Sequence, residues 1–402
     1  MLHVVTASMG VRLMRGQLKF LREAGFEVAV ASAPGEELTS IARAEKAQRI
    51  EAPLSREIAP LRDLVALVHI WAILRRIRPA IVNFGTPKAG LIAGLAARLS
   101  GVPFRVYTLR GLRGETATGI KRHLLFLCER ISCACADRVI CVSGSLRQKA
   151  VSHGIVDPER AVVLGSGSSN GVDVSRFECA GGSQILGRQL REKLGIPEAA
   201  PVVGFVGRFT RDKGMPELME AFTTLRGQFP ELRLLMVGDF EEGDLPAAEV
   251  VRRINTEPNI VCTGFVDDAA PYYAVMDILA LPTYREGFPN VVLEAQAAGK
   301  PAVVTNATGA VDSVIDGVTG LIVPLRDSVA LTGALGKLLA EPKLAFAMGQ
   351  NGRKRAIAQF QPTRIWNELV GQYQSALKAK GLPLPVASRN SCINAVPERI
   401  NT

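Results

Sequence analysis

The stretch Arg285-Glu286-Gly287-Phe288-Pro289-Asn290-Val291-Val292-Leu293-Glu294-Ala295-Gln296-Ala297-Ala298-Gly299 decides how the 402-residue chain is read. An apolar run at 277–281 precedes it and another at 301–304 follows, so the order is strand, glycine-bearing turn, helix, strand. Pro289 suits the first turn of the helix, where its missing N–H costs nothing; residues 290–298 carry the body and Gly299 closes it. Such a helix opens toward the carboxyl edge of a parallel sheet, where α/β folds bind ligands. Its start offers N–H groups and partial positive charge to an anion. Glu286 and Glu294 bracket the turn, one before the helix and one about a turn inside it. Neither is an obvious phosphate ligand, whereas carboxylates accept hydroxyl groups well. Phosphate beside polyhydroxyl groups is the chemistry of a nucleotide sugar.

Working outward, the same alternation fills the chain. The first half reads as strands at 2–7, 27–31, 81–84, 105–108, 138–142 and 161–164, with helices at 13–24, 61–77, 89–99 and 120–136. The second half reads as strands at 201–206, 232–237, 260–263, 278–281, 302–304 and 320–323, with a helix at 215–228 after the loop 207–214. Helices at 344–360 and 365–379 follow. This predicts an α/β protein of two doubly wound, Rossmann-like domains facing across a cleft, each a parallel sheet covered on both faces. The expected divisions are a first domain at 1–177, a linker at 178–200 containing Cys179-Ala180-Gly181-Gly182-Ser183 and a short helix at 187–194, and a second domain at 201–362. A terminal helix at 363–380 is expected to pack back on the first domain, and 381–402 to form a disordered tail.

Composition agrees with a folded soluble protein, 48% apolar and 21% charged. The net charge of +10 lies wholly in the first half: residues 1–180 hold 25 Lys and Arg against 15 Asp and Glu, and 181–402 hold 23 of each. Such asymmetry fits nucleic acid, an anionic membrane, a phosphorylated substrate or a solvated Arg-rich surface. Residues 2–6 are too short for a secretory leader and are followed by Arg12, Arg15 and Lys19. The longest apolar candidate, 64–74, includes His69 and ends in Arg75-Arg76-Ile77-Arg78, short of the roughly 20 residues a bilayer needs. A cytoplasmic location is expected, and seven cysteines, an odd number without regular spacing, suit a reducing compartment. Cys128, Cys133, Cys135 and Cys141 lack structural zinc spacing and read as packed core thiols.

Several stretches carry a resemblance. Val206-Gly207-Arg208 with Lys213-Gly214, Val237-Gly238-Asp239, Thr263-Gly264-Phe265-Val266, Ser169-Asn170-Gly171-Val172-Asp173 and the two-glutamate stretch resemble the retaining glycosyltransferases of the two-Rossmann-domain (GT-B) type, group 1 (GT4). The likeness runs to about residue 379. The segment 108–116, with Gly165-Ser166-Gly167-Ser168-Ser169, is more similar to the capsule and lipopolysaccharide branch.

The resemblance implies transfer of a sugar, with retention, from a nucleotide-diphosphate donor, a UDP-sugar, to a glycan or polyprenyl-diphosphate-linked acceptor. The process would be cell-surface polysaccharide synthesis, with no nucleic-acid partner. Breaking a sugar–phosphate bond leaves extra negative charge on the diphosphate, so fixed cations are needed. The resemblance assigns Arg208 and Lys213 to it, Glu294 to the ribose, and Glu286 to the transferred sugar and its anomeric charge. By the same resemblance Gly207, Gly287, Phe288, Pro289 and Asn290 are expected to line the donor, with the base between Gly238 and Thr263, Gly264, Phe265 and Val266. The resemblance implies that the first domain binds the acceptor and the second the nucleotide sugar. Gly10, Arg12, Lys88 and Arg110 fall on the acceptor or phosphate side, although Gly10 reads equally as a tight turn and Lys88 as a solvated lysine. Arg110 stands where many members carry histidine, so no histidine role is transferred. No metal or other cofactor is expected, because the cationic loop and helix dipole replace the ion and Asp267-Asp268 have no histidine near them. The helix 120–136, with Lys121, Arg122 and Arg130 beside Leu124, Leu125, Phe126 and Ile131, reads either as a peripheral contact with an anionic bilayer or as a buried helix with basic ends.

Other classes fit less well. A nicotinamide enzyme would need a third glycine after Gly204-Phe205-Val206-Gly207 and an acid where Ser32-Ala33-Pro34 stands. A glycoside hydrolase would use two carboxylates, yet a diphosphate leaves without protonation and the cationic loop would be unexplained. A nucleotide-sugar epimerase or a catalytically silent nucleotide-binding protein of the same fold stays open.

Overall fold

The computed structural model describes residues 1–55, 59–177 and 182–386. The linker and tail expectations that fall on 178–181 and 387–402 lie outside the described residues. The first sheet contains β1 (Leu2–Val4), β2 (Ala29–Ser32), β3 (Gln48–Glu51), β4 (Ile81–Phe84), β5 (Phe104–Leu109), β6 (Arg138–Cys141) and β7 (Ala161–Val162), in the order β3-β2-β1-β4-β5-β6-β7. The second contains β8 (Val202–Val206), β9 (Arg233–Val237), β10 (Ile260–Cys262), β11 (Ile278–Leu281), β12 (Ala302–Thr305) and β13 (Gly320–Val323), in the order β10-β9-β8-β11-β12-β13. Strands β2, β4, β8, β11 and β12 are buried at every residue, as their largely apolar sequences require when helices cover both faces. Both expected Rossmann-like sheets are therefore present.

Strand order positions the site. β8 lies between β9 and β11, with Ile278 opposite Val203 and Leu279 opposite Gly204. The loops leaving β8 and β11 consequently emerge side by side at the carboxyl edge, at the point where the order reverses. Those are the cationic loop and the two-glutamate stretch.

The described chain resolves into two compact units. One comprises Met1–Tyr107, Ser132–Arg138 and the described residues from Trp366 onward; the other comprises Thr108–Ile131 and Val139–Ile365. In the first, the helix Pro362–Ala379 contributes Trp366 against Phe20 (5.4 Å between ring centres) and Tyr373 against Phe26 (5.9 Å). The buried Asn83 side chain donates to the Tyr373 hydroxyl at 2.7 Å. In the second unit, Phe205, Phe209, Phe222, Tyr273 and Phe360 are the largest wholly buried side chains.

Three local readings change. The helix expected at 13–24 is a 3-10 turn, Ser8–Met14, followed by a shorter helix, Gln17–Glu23. Gly16 between them has φ +82°, and a Cβ there would meet Trp366 at 2.7 Å, so the chain bends where the helix was drawn straight. The helix Glu36–Ala44 and edge strand β3 were not foreseen, because β3 buries only Ile50 and shows no apolar run. Pro289 is the N-cap with extended backbone rather than a first-turn residue; the helix runs Asn290–Ala297 and Ala298 caps it.

Candidate active site

The site grows from the loop after β8. Gly207 leaves the strand at φ +143°, a backbone region glycine adopts without strain. Gly238, on the loop after β9, comes so close that a Cβ there would stand 2.0 Å from the Gly207 carbonyl oxygen, and its N–H donates to the Gly264 carbonyl at 3.1 Å. Three glycines thus bring three loop backbones together. Phe209 is completely buried and anchors the loop, its N–H bonded to the Asp239 carbonyl at 2.8 Å and its ring edge-on to Phe240. A 3-10 turn, Arg211–Lys213, follows, closed by Gly214 at φ +66°, where a Cβ would collide with the Pro282 carbonyl at 1.9 Å.

That turn is fastened to the segment after β11. The Tyr284 N–H and the buried Thr283 hydroxyl both donate to the Asp212 carbonyl, at 2.8 and 3.1 Å. The Asp212 carboxylate pairs with Arg285 at 2.7 Å and accepts from the Thr210 hydroxyl at 2.6 Å. Burial works against the charged form of Asp212, but Arg285, the Thr210 hydroxyl, Lys213 and Arg208 together hold its carboxyl below the usual range. Arg285 also donates to the Thr116 hydroxyl at 3.0 Å. The result places the Lys213 ammonium in direct contact with the Glu286 carboxylate, both side chains less than a fifth exposed. Sequence separates these residues by 73 positions.

The Glu286–Gly287 backbone sits in a slot. The Glu286 N–H donates to the Thr308 carbonyl at 2.9 Å, and the Thr308 hydroxyl donates to Glu115 at 2.7 Å. A side chain on Gly287 would place its Cβ 2.1 Å from the Arg110 carbonyl oxygen, and one on Gly309 would lie 2.3 Å from the Gly287 carbonyl. Phe288 packs on the Phe360 ring at 5.4 Å, and Asn290 accepts a 3.0 Å bond from the hydroxyl of Ser168, itself at φ +68°.

Glu294 is separate from the Lys213–Glu286 pair. It accepts a 2.7 Å bond from the hydroxyl of the fully buried Tyr273. Burial pushes the Glu294 carboxyl above its ordinary value, against the Tyr273 bond and the nearby Arg176, while burial and Glu294 push the Tyr273 phenol well up. Arg208 is mostly exposed and engages Glu241 rather than either motif glutamate. At the expected base-binding strand ends, Thr263 donates from its N–H to the Met236 carbonyl at 3.0 Å, Val266 packs on the core and the Phe265 ring is 58% exposed.

The remaining expected residues are differently placed. Arg110 follows β5 and contributes its carbonyl to the Gly287 slot. In the first unit, Gly10 closes a turn with its N–H on the Ala7 carbonyl at 2.9 Å, and Arg12 reaches Glu37 at 3.4 Å. Lys88 begins the helix Pro87–Leu99 and pairs with Asp63 at 2.6 Å; it is not a freely solvated lysine. The helix Gly119–Cys135 buries Phe126 but leaves Ile120, Leu124 and Leu127 exposed beside Lys121 and Arg122. Cys133, Cys135 and Cys141 are buried and Cys128 partly so, and Asp268 pairs with Arg176 at 2.6 Å. Among the described residues no three His, Cys, Asp or Glu side chains gather as a metal site.

Residues 200–341 match the family described as "Glycosyl transferases group 1", and residues 10–167 match the "Glycosyl transferase 4-like domain". A Staphylococcus aureus protein, the capsular polysaccharide biosynthesis glycosyltransferase CapM, is 38% identical over 378 residues, 94% of this chain and 97% of that one. The chain belongs to the group 1 glycosyltransferases. This glycosyltransferase is also 27% identical over 311 residues to the Escherichia coli UDP-Gal:alpha-D-GlcNAc-diphosphoundecaprenol alpha-1,3-galactosyltransferase, covering 76% of this chain and 78% of that one. Two solved structures share its GT-B fold. Anabaena Alr3699/HepE, in complex with UDP and glucose, superimposes with TM-score 0.77 at 20% identity over 93% of this chain and 99% of that one. WaaG, a glycosyltransferase involved in lipopolysaccharide biosynthesis, gives 0.70 at 17% identity over 95% and 100%.

Sequence reading of this group 1 enzyme missed the partners that fix its site residues: Asp212, Arg285, Thr116, Tyr273, Glu241 and Thr308. Adjacency was the available signal for two of them, since Asp212 precedes Lys213 and Arg285 precedes Glu286. Nothing local marks Tyr273 or Glu241.

Proposed function

We propose that this glycosyltransferase moves a hexosyl or N-acetylhexosaminyl group from a UDP-sugar to a glycan or polyprenyl-diphosphate-linked sugar, with retention, in cell-surface polysaccharide synthesis. The observation that carries the reading is the Lys213–Glu286 contact at the carboxyl edge of the second sheet, set between the two-glutamate helix and the glycine-lined loop after β8. Lys213 and Arg208 are assigned to the diphosphate, Lys as a point charge and Arg as a fork of donors. As the sugar–phosphate bond breaks, the bonding pair leaves with the β-phosphate oxygen and these cations, with the start of the helix Asn290–Ala297, stabilise the added charge. Glu286 accepts hydroxyls of the sugar and favours positive charge at its anomeric carbon. Glu294 accepts ribose hydroxyls, with Tyr273 orienting it from behind. Phe265 offers an exposed ring to the base. Gly10, Arg12, Lys88 and Arg110 belong to the acceptor or phosphate side.

The S. aureus and E. coli relatives support the polymer and carrier classes by their names, capsular polysaccharide in one and a diphosphoundecaprenol sugar in the other. A cytoplasmic enzyme working at the inner face of the membrane fits such an acceptor, and no described helix is long and apolar enough to cross a membrane. The test is transfer from labelled UDP-hexoses and UDP-N-acetylhexosamines to a polyprenyl-diphosphate-sugar acceptor. Glu286→Ala and Lys213→Ala should abolish transfer while circular dichroism stays native. Full transfer by either variant refutes the assignment, and interconversion of a UDP-sugar with no acceptor present would make the protein an epimerase.

A further inference from the structure

The loop after β8, residues 207–214, carries three cations, Arg208, Arg211 and Lys213, and the turn after β9, residues 239–244, carries four acids, Asp239, Glu241, Glu242 and Asp244. Backbone contacts fasten the two together. The Phe209 N–H donates to the Asp239 carbonyl at 2.8 Å, the Arg211 N–H to the Asp244 carbonyl at 3.3 Å, and the Arg211 side chain to the Leu245 carbonyl at 2.9 Å. The Phe209 and Phe240 rings meet edge-on, 5.2 Å between centres. Tied at both ends, the acidic turn stays beside the cationic loop unless these bonds break.

Charge is matched across that junction. Arg211 lies 3.9 Å from Asp244, and Arg208 contacts Glu241 directly. The members of the second pair are held differently: the Arg208 side chain is 62% exposed and that of Glu241 25%. Glu241 sits in a turn closed by the Asp244 N–H on its own carbonyl at 3.1 Å. The carboxylate is therefore the fixed member, and the guanidinium on its long stem is the movable one. An anion of the protein itself thus occupies the arginine assigned to the diphosphate.

We infer that Glu241 competes with the diphosphate for Arg208 and so sets how tightly this enzyme holds its nucleotide, as donor before transfer and as nucleoside diphosphate after it. The arginine fork serves the carboxylate or the phosphate oxygens in turn. An exposed ion pair is favoured over its open form by about two- to fivefold, and apparent affinity falls with the fraction of molecules in which the arginine is available. The competition acts on donor and product alike, and it weakens the hold on the product that must leave. It rests on the assignment of Arg208 to the diphosphate, and the experiment separates the two.

The test is calorimetric titration of UDP into the full chain at low salt, with inhibition of transfer by UDP as a second readout. Glu241→Gln should lower the Kd of UDP about two- to fivefold and its Ki by the same factor. Glu241→Ala should do the same, so the result does not hang on one variant folding. Glu242→Gln makes the same charge change at an exposed neighbour and should leave the Kd within about 1.5-fold of wild type. Arg208→Ala should weaken UDP at least about tenfold, and adding Glu241→Gln to it should restore nothing. If Arg208→Ala weakens UDP but neither Glu241 variant tightens it, the competition is overturned and the diphosphate assignment stands. Equal tightening by Glu242→Gln, or by Glu241→Gln in the Arg208→Ala background, reveals general repulsion and also overturns the competition. If Arg208→Ala binds UDP like the wild type, or the wild type binds none of UDP, GDP and ADP, the diphosphate assignment fails and the competition with it.

Discussion

Replacing Lys213 with Met leaves Glu286 as a carboxylate only 17% exposed and without the cation that faces it. Removing one partner of a fully buried ion pair costs about 3–5 kcal/mol, whereas an exposed pair contributes about 0–1 kcal/mol. With both side chains under a fifth exposed, solvent screening places this pair between those limits, and Lys213→Met should cost about 2 kcal/mol. Glu286→Gln should cost about 1 kcal/mol, because the amide still accepts a hydrogen bond and the lysine stem can swing toward water. The double variant Lys213→Met/Glu286→Gln removes both charges and should cost less than the sum, with a coupling of about 1–2 kcal/mol. Thermal unfolding of the ligand-free protein at low ionic strength reads this cycle. At roughly 2–4 °C per kcal/mol, Lys213→Met should lower the midpoint by roughly 4–8 °C, and the double variant should recover part of the loss. Additive effects, or single-variant changes below about 0.5 kcal/mol, would refute the claim that the two groups hold each other in the free enzyme.

Two further outcomes follow from the same site. Asp212 has a folded pKa below its unfolded value of about 3.9, so its contribution is fully present above that pH and is lost as pH falls through the folded value. Asp212→Asn should therefore be less stable than the wild type at pH 7, and the gap between the two unfolding curves should narrow as the pH is lowered below the unfolded value; a gap that does not narrow on acidification would contradict this. Sugar transfer should be unchanged by a divalent-metal chelator, and activity that returns only on adding a divalent cation would overturn the assignment of the leaving-group charge to Arg208 and Lys213.

The parallel sheets were legible because β4, β8, β11 and β12 are short, mostly apolar runs beside glycine or proline, and strands buried on both faces leave that signature. β3 was not, since an edge strand with one buried residue looks like a polar loop. The two-glutamate stretch was legible in residue types and helix direction but not in partners. Which cation meets which carboxylate depends on β8 pairing with β11, a contact between positions about 75 residues apart that no local pattern encodes. Hence Lys213 was recognised and its contact with Glu286 was not, and Arg208 was read with Lys213 although its contact is with Glu241. The helix Pro60–Ile77 was legible at 61–77, but its exposed apolar face was not. A helix apolar on two faces reads from sequence as buried, and only the packed chain shows which face is left exposed.

The central claim is that the residues around β8 and β11 bind a nucleoside diphosphate, and thermal unfolding with UDP tests it most directly. At one hundred times its Kd, a ligand of the folded state contributes about 2.7 kcal/mol, which should raise the wild-type midpoint by roughly 5–10 °C. Glu294→Ala and Arg208→Ala/Lys213→Ala should lose most of that shift while keeping a cooperative transition. A wild type that UDP, GDP and ADP all leave unmoved at millimolar concentration, or variants that keep the full shift, would contradict it.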